Sequence, residues 1–405
     1  MLSDEVLEKV VERLTNRIEQ ANLYVLKEIG RSINQIGTFN PSKAHQLVQM
    51  LKYGGDYNKI VKELAKITNM NVKDIQDIFE EVAKSDYRFA KQFYDYRGKN
   101  FIPYEKNTQL KRQVDALAKA TMEEYINLTQ TSALGFGFEQ DGKTIFRGIK
   151  ETYQDLLDEA VLSVSQGKET FNSAMYRQLK NIASSGLKVV YPTTYIGADG
   201  KEHHYTRRLD SAIRMNMKSA LRNLHNEMQQ QIGEQIDADG VEISVHENPA
   251  PDHQEAQGRQ FSNEEYNKLQ TTGIAKTYDN IKIDMHKGKH FRPISEWNCY
   301  HYTFSIILGV DEPQYSNEQL QQIIDKNNKG FEFEGQHYTM YEGTQLQRQI
   351  ETEIRRQKDM QIMGKEANNE QLVQESQKNI RILNRKYKEL NDASGLRPKI
   401  DRLKV

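Results

Sequence analysis

Residues able to do chemistry concentrate in two short segments about fifty positions apart. The first runs His246-Glu-Asn-Pro-Ala-Pro-Asp-His253-Gln-Glu-Ala-Gln-Gly258, and the second runs from Trp297-Asn-Cys-Tyr-His301 to Gly309. With the stretch between them they hold the only Cys, the only Trp and five of the ten histidines (246, 253, 286, 290 and 301), and His337 follows just beyond. If Cys299 and His301 lie on a strand, their spacing points both side chains to one face. Joined by His246, His253 or His290, they could supply the nitrogen and sulfur ligands of a tetrahedral zinc site. The spacing departs from the usual finger patterns, and no second Cys is present. The competing reading is that these groups hold a thinly cored loop module by ordinary hydrogen bonds.

Other chemistries fit less well. A Cys299 nucleophile needs a base and an orienting group, and Asn298 and His301 stand too close in sequence for the usual geometry. A metal-dependent nuclease or hydrolase could use His253 with Asp252 and Glu255. The chain has neither a strand–Gly-rich–Lys-Ser/Thr phosphate loop nor an RNA-binding aromatic signature.

Long helices must position this block. Leu7, Val11, Leu14, Ile18, Ala21, Val25, Ile29, Ile33 and Ile36 keep helical spacing, which predicts one helix over 4–36, capped near Ser3 and ended by Gly37 and Pro41. Shorter helices are expected at 42–52, 57–67 and 72–94, then at 108–129, 151–165 and 169–184. Lys143 to Arg147 reads as a strand of a small hairpin, and 186–192 as an exit with strand character ahead of a turn at 196–200. A second long helix is expected over 206–236. One side of it carries Arg214, Lys218 and Arg222 four apart, with Arg207 near its start. That row is either a solvated face or a contact for DNA phosphate or an acidic partner. Val241 to His246 alternates as a strand with Ile243 and Val245 inward. Short strands and loops follow to about 345, then helices at 344–363 and 366–390 and a basic tail from Gly395.

The expected fold is mainly α, with long amphipathic helices flanking a small α+β module that carries the His/Cys motifs. Four segments are read: 1–97 helical; 98–236 helical with the hairpin; 237–343 the motif module; 344–405 C-terminal helices and tail. At 405 residues the chain exceeds one typical core. Charged residues make up 28% with a formal net charge of -1, so no global pull toward nucleic acid exists. A mean hydropathy of -0.81 implies narrow apolar stripes or surfaces that bury on assembly. One Cys excludes an internal disulfide and fits a reducing compartment. The acidic start is no signal peptide, and no run approaches the roughly 20 apolar residues of a membrane span. The chain therefore reads as soluble and intracellular, with no membrane partner.

Taken together, these residues resemble the minor capsid proteins of Gram-positive bacteriophages (the minor capsid protein 2 group), relatives of the Mu gpF-like head morphogenesis proteins. Asn100-Phe-Ile-Pro-Tyr-Glu105 is similar to a Phe-Ile-Pro-Tyr segment of that family, and Gly142-Lys-Thr-Ile-Phe146 to its hairpin. Val245 to Gly258 resembles its strand followed by a Pro-x-His-x-x-x-Gln-Gly motif, here Pro251, His253, Gln257 and Gly258. Asn298-Cys299-Tyr300-His301 with Gly309-Val310 resembles its second motif. The family usually has Arg before the motif proline and Trp before Gln-Gly, where this chain has Ala250 and Ala256. Those departures make the motif read as a structural signature rather than a reaction centre.

The resemblance implies a virion protein of a tailed phage. It would sit in few copies in the capsid interior, near the portal protein, after assembly in the host cytoplasm with major capsid or scaffold protein. Contact with packaged DNA and a part in its ejection are also implied. No catalytic turnover and no obligatory cofactor are expected, zinc being the one metal the block could take. A metal-dependent nuclease or hydrolase is the alternative.

Overall fold

The first long helix, α1 (Asp4–Gly37), buries the stripe its sequence marks: Leu7, Val11, Leu14, Ile18, Ala21, Val25 and Ile29 are each at most 3% exposed. The computed structural model describes residues 4–37, 55–130, 132–140, 143–152, 171–196, 202–286, 291–295 and 299–404. The helices expected at 42–52 and over most of 151–165, and the turn at 196–200 beyond its first residue, lie outside the described residues. Helix α2 (Gly55–Arg88) is continuous where two helices were expected, because nothing in Asn69-Met-Asn-Val72 breaks the ladder. After α3 (Lys91–Tyr96), α4 (Thr108–Thr129) starts on an Asn107 cap whose side chain accepts from Leu110 N.

The hairpin is present: β1 (Leu134–Gln140) pairs antiparallel with β2 (Lys143–Gly148). Helix α5 (Phe171–Ser185) leads into β3 (Lys188–Ile196), which joins β1 on one edge and β4 (Glu202–Arg208) on the other, in the order β2-β1-β3-β4. The helix expected from 206 begins at 209 as α6 (Leu209–Gln235), because residues 202–208 extend along β3 instead. Backbone pairing with a neighbour overrides what local pattern suggests.

The motif module follows. The expected strand is shorter than read: β5 (Gly240–Ile243) sits between β6 (Gln260–Ser262) and β9 (Thr303–Ile306). A ribbon of β7 (Ile274–Lys276) and β8 (Lys282–Asp284) lies between them in sequence. The stretch expected as short strands and loops also contains two helices, α7 (Asn263–Thr272) and α8 (Asn317–Lys329). A two-stranded ribbon, β10 (Phe331–Phe333) with β11 (Gln336–Tyr338), leads to α9 (Met340–Glu366) and α10 (Glu370–Ser394). These last two form a helical hairpin across Ala367-Asn-Asn369, with Asn368 at φ 52°.

Among the described residues, three apolar clusters fill the interior. The largest joins α1, α2, α4, α5 and α6 and also takes Tyr302, Met360, Met363 and Leu372, so the C-terminal hairpin closes over the N-terminal helices. A small one (Ile243, Ala256, Phe261, Leu269, Ala275, Ile283, Met285, Ile294) belongs to the module. The third lies between β10 and the final hairpin, around Ile354 and Leu390. No described helix is long and apolar enough to cross a membrane.

Candidate site: a His–Cys–His cluster under a cationic cleft

The first motif folds into two tight turns. Ala250 O accepts from His253 N at 3.0 Å and Gln254 N at 3.1 Å, and His253 O accepts from Ala256 N and Gln257 N at 3.1 Å each. Pro251 fits at the start of this run, where its missing N–H is no loss. Ala256 is fully buried in the module core. Gly258 ends the run at φ 69°, and its N–H donates to Ile243 O at 2.8 Å, returning the chain to the sheet. A Cβ there would meet Leu320 Cδ2 at 2.4 Å, so both conformation and space demand glycine.

The strand considered for Cys299 and His301 is absent: residues 299–302 are irregular, and β9 begins at Thr303. The two side chains still converge, because the backbone N–H of His301 donates to Cys299 Sγ at 3.4 Å and folds the segment around the sulfur. Cys299 Sγ lies 3.4 Å from His253 Nδ1 and 3.3 Å from His301 Nδ1. All three residues are at most 2% exposed. His253 Nε2 donates to Arg292 O at 2.8 Å, and His301 Nε2 lies 3.3 Å from Gln257 Oε1. The same Gln257 oxygen accepts from His246 N at 2.9 Å. Asp252 holds Arg292 by a bidentate pair at 2.7 and 2.9 Å. The His246 ring stacks edge-on to His301 with centroids 4.5 Å apart. Asn298 and His290 lie outside the described residues.

Burial sets the charge of this cluster. It pushes the Cys299 thiol up and both imidazoles down, His301 the further because His246 and His253 add to the effect. The cluster is therefore one thiol and two neutral rings: borderline-soft donors with no net charge.

A cleft of about 750 Å³ opens above it, lined by His246, His253, Cys299 and His301 on one side. Arg214, Lys218, Arg348, Arg397, Lys399 and Arg402 line the rest, with Glu8, Glu12, Glu247 and Asp401 as acids. The row on α6 is thus not a solvated face. Arg222 is 1% exposed with its guanidinium 4.5 Å from the Tyr300 ring centroid, and Lys218 is 5% exposed and paired with Glu8. Arg214 bonds Glu8 at 3.0 Å. Helical spacing put these three on one side correctly, but Tyr300 and α1, far away in sequence, cover that side. Arg207 stays exposed on β4 and does not line the cleft. The basic tail is folded back: Arg402 donates to Glu8 at 2.8 Å and Lys399 N donates to Tyr387 Oη at 2.8 Å. Burial, which alone would raise Glu8, is outweighed by Lys218, Arg402 and Arg214, and its carboxyl falls to about 2.

Sequence reasoning missed Glu8, Arg292, Tyr300, Arg348 and Arg402 as members of this site. Tyr300 alone had a local signal, standing between Cys299 and His301.

The fold thus sets a small motif module among long helices. The family model for phage minor capsid protein 2 matches residues 2–392, and the chain belongs to that family of bacteriophage structural proteins. No curated protein and no solved structure matches it.

Proposed function

We propose that this chain is a minor head protein that works by contact, bound at the portal on the inner side of the capsid and taken up during head assembly in the host cytoplasm. The observation that carries the reading is the length of the family match, residues 2–392, which includes both long-helix ends as well as the module. Those ends are bound to each other in the fold: Arg31 pairs with Glu366 at 3.0 Å and Arg355 with Glu19 at 3.2 Å. A chain built as one frame around a small module suits a fixed place in an assembly better than turnover. The cationic cleft supplies a surface for an acidic segment of portal, capsid or scaffold protein, or for phosphates of packaged DNA.

The test is co-sedimentation of the purified chain with assembled portal. Binding that weakens as salt rises supports the reading, and loss of binding in a variant with Arg348, Arg397 and Lys399 changed to Glu assigns it to the cleft. Failure to bind portal, with equal failure to enter procapsids in infected cells, overturns it. A metal-dependent hydrolase is the second reading, favoured by the donor cluster opening on that cleft. It requires phosphodiester cleavage that added zinc supports and Cys299→Ser abolishes.

A further inference from the structure

We propose that His253 Nδ1, Cys299 Sγ and His301 Nδ1 form a three-ligand site for a divalent cation of the zinc class, with its fourth position facing the cleft.

The distances fit. Tetrahedral zinc with sulfur at about 2.3 Å and nitrogen at about 2.0–2.1 Å holds a sulfur and a nitrogen ligand about 3.5 Å apart. The two observed separations are 3.4 and 3.3 Å, and all three donor atoms lie within 4.8 Å of one another. Small ring rotations bring them onto one ion.

The hydrogen bonds decide the tautomers. Each ring faces an acceptor with its Nε2, the Arg292 carbonyl for His253 and the Gln257 amide oxygen for His301, so each Nε2 carries the proton. Both Nδ1 atoms then present lone pairs to one sulfur. A thiol has one hydrogen and can serve only one of them. A cation serves both and the sulfur too. Ligand imidazoles that donate their second N–H to a fixed oxygen are the usual support of protein zinc sites.

Sγ accepts from the backbone N–H of His301 at 3.4 Å, which holds the sulfur toward both rings. Gln257 is satisfied on its oxygen by two donors, which explains Gln at the motif position: its carbonyl orients one ligand and ties His246 to the loop. The ion would cross-link the 250–258 turns to the 299–302 segment. All three ligands also line the cleft, where water or an anionic oxygen can complete the tetrahedron.

Binding balances as Zn²⁺ plus thiol giving zinc thiolate and one proton, since each ring offers the ion an Nδ1 lone pair and keeps its Nε2 proton. Full-length protein stripped with a chelator and titrated with zinc should take up one ion per chain. It should release about one proton for each ion at neutral pH. Zinc should also shield Cys299, the only thiol, from a thiol reagent. Cobalt(II) in place of zinc should show a thiolate-to-metal charge-transfer band that Cys299→Ser removes. Gln257→Ala should weaken binding by about 10–100-fold, as loss of an outer partner does. No saturable uptake, uptake without proton release, or zinc that leaves the thiol equally reactive overturns the proposal. The wild-type readings decide the matter even if a variant fails to fold. An uptake that persists in folded Cys299→Ser places the ion elsewhere and also overturns it.

Discussion

Arg402 and Glu8 meet across 394 residues of sequence, the guanidinium donating to the carboxylate at 2.8 Å. Lys218 and Arg214 of α6 reach the same carboxylate. One acid therefore ties the first helix, the central helix and the C-terminal tail, at the edge of the cleft above the His/Cys cluster. Removing it strands three cations in partly or largely buried positions. Glu8→Gln should lower stability by about 2–4 kcal/mol in denaturant unfolding at neutral pH.

The same residue sets an acid limit. Its carboxyl is held at about 2 in the folded chain against 4.5 ordinarily. A folded value below the unfolded one gives stability that is present above about 4.5 and lost as pH falls toward 2. Unfolding midpoints followed downward through that window should fall more steeply for wild type than for Glu8→Gln.

Glu19 should show the opposite slope. It lies against Arg208, Arg355, Asp210 and Asp359 in a buried network joining α1, β4, α6 and α9. Burial and the Asp210 charge outweigh both arginines and raise Glu19 to about 8. A folded value above the unfolded one gives stability that is full below about 4.5 and lost as pH rises through 8. Wild type should lose up to about 1.4 kcal/mol per pH unit from this group between pH 5 and 8. Glu19→Gln should flatten that slope, and an unchanged slope would assign it to other groups.

Tyr300 carries a separate expectation. Arg222 has two buried nitrogens, Nε and Nη2, without a hydrogen-bond partner, and its guanidinium rests on the Tyr300 ring, with Lys218 and Arg348 5.6 and 5.7 Å from the same centroid. The ring, more than the hydroxyl, stabilises these charges. Tyr300→Ala should cost about 3–5 kcal/mol and Tyr300→Phe about 1 kcal/mol or less. Equal losses in thermal unfolding would mean that the hydroxyl matters more.

Gly258→Ala tests the first motif. The φ of 69° and the 2.4 Å approach to Leu320 should together make the alanine cost about 2–4 kcal/mol. Gly335, also at positive φ but with nothing near its Cβ direction, should lose only about 1 kcal/mol on the same change.

The long helices were legible because residues at helical spacing report burial: of the α4 stripe, Leu110, Val114, Thr121 and Tyr125 are buried and Leu117 is partly buried. One strand of the hairpin was legible in Lys143 to Arg147, whereas Leu134 to Gln140, whose glycines suggest a turn, forms the other strand. β4 was not legible, since Glu202 to Arg208 has no apolar alternation and becomes a strand only through pairing with β3. Helices α7 and α8 were missed because their apolar stripes are thin, with Leu269 alone buried in α7. Their signals lay in Ser262-x-x-Glu265 and Ser316-x-x-Gln319, where each serine accepts from the backbone three residues on. At the site, residue types marked His253, Cys299 and His301 for each other. Local sequence carries no trace of Glu8, Arg348 and Arg402, which reach the cleft only through tertiary folding.

The most direct test of the central claim is the protein content of purified, nuclease- and protease-treated phage heads, measured by quantitative mass spectrometry. The account predicts this chain inside DNA-filled heads, protected from protease and in low copy number relative to the major capsid protein. Heads that package DNA and contain none of it would contradict the account.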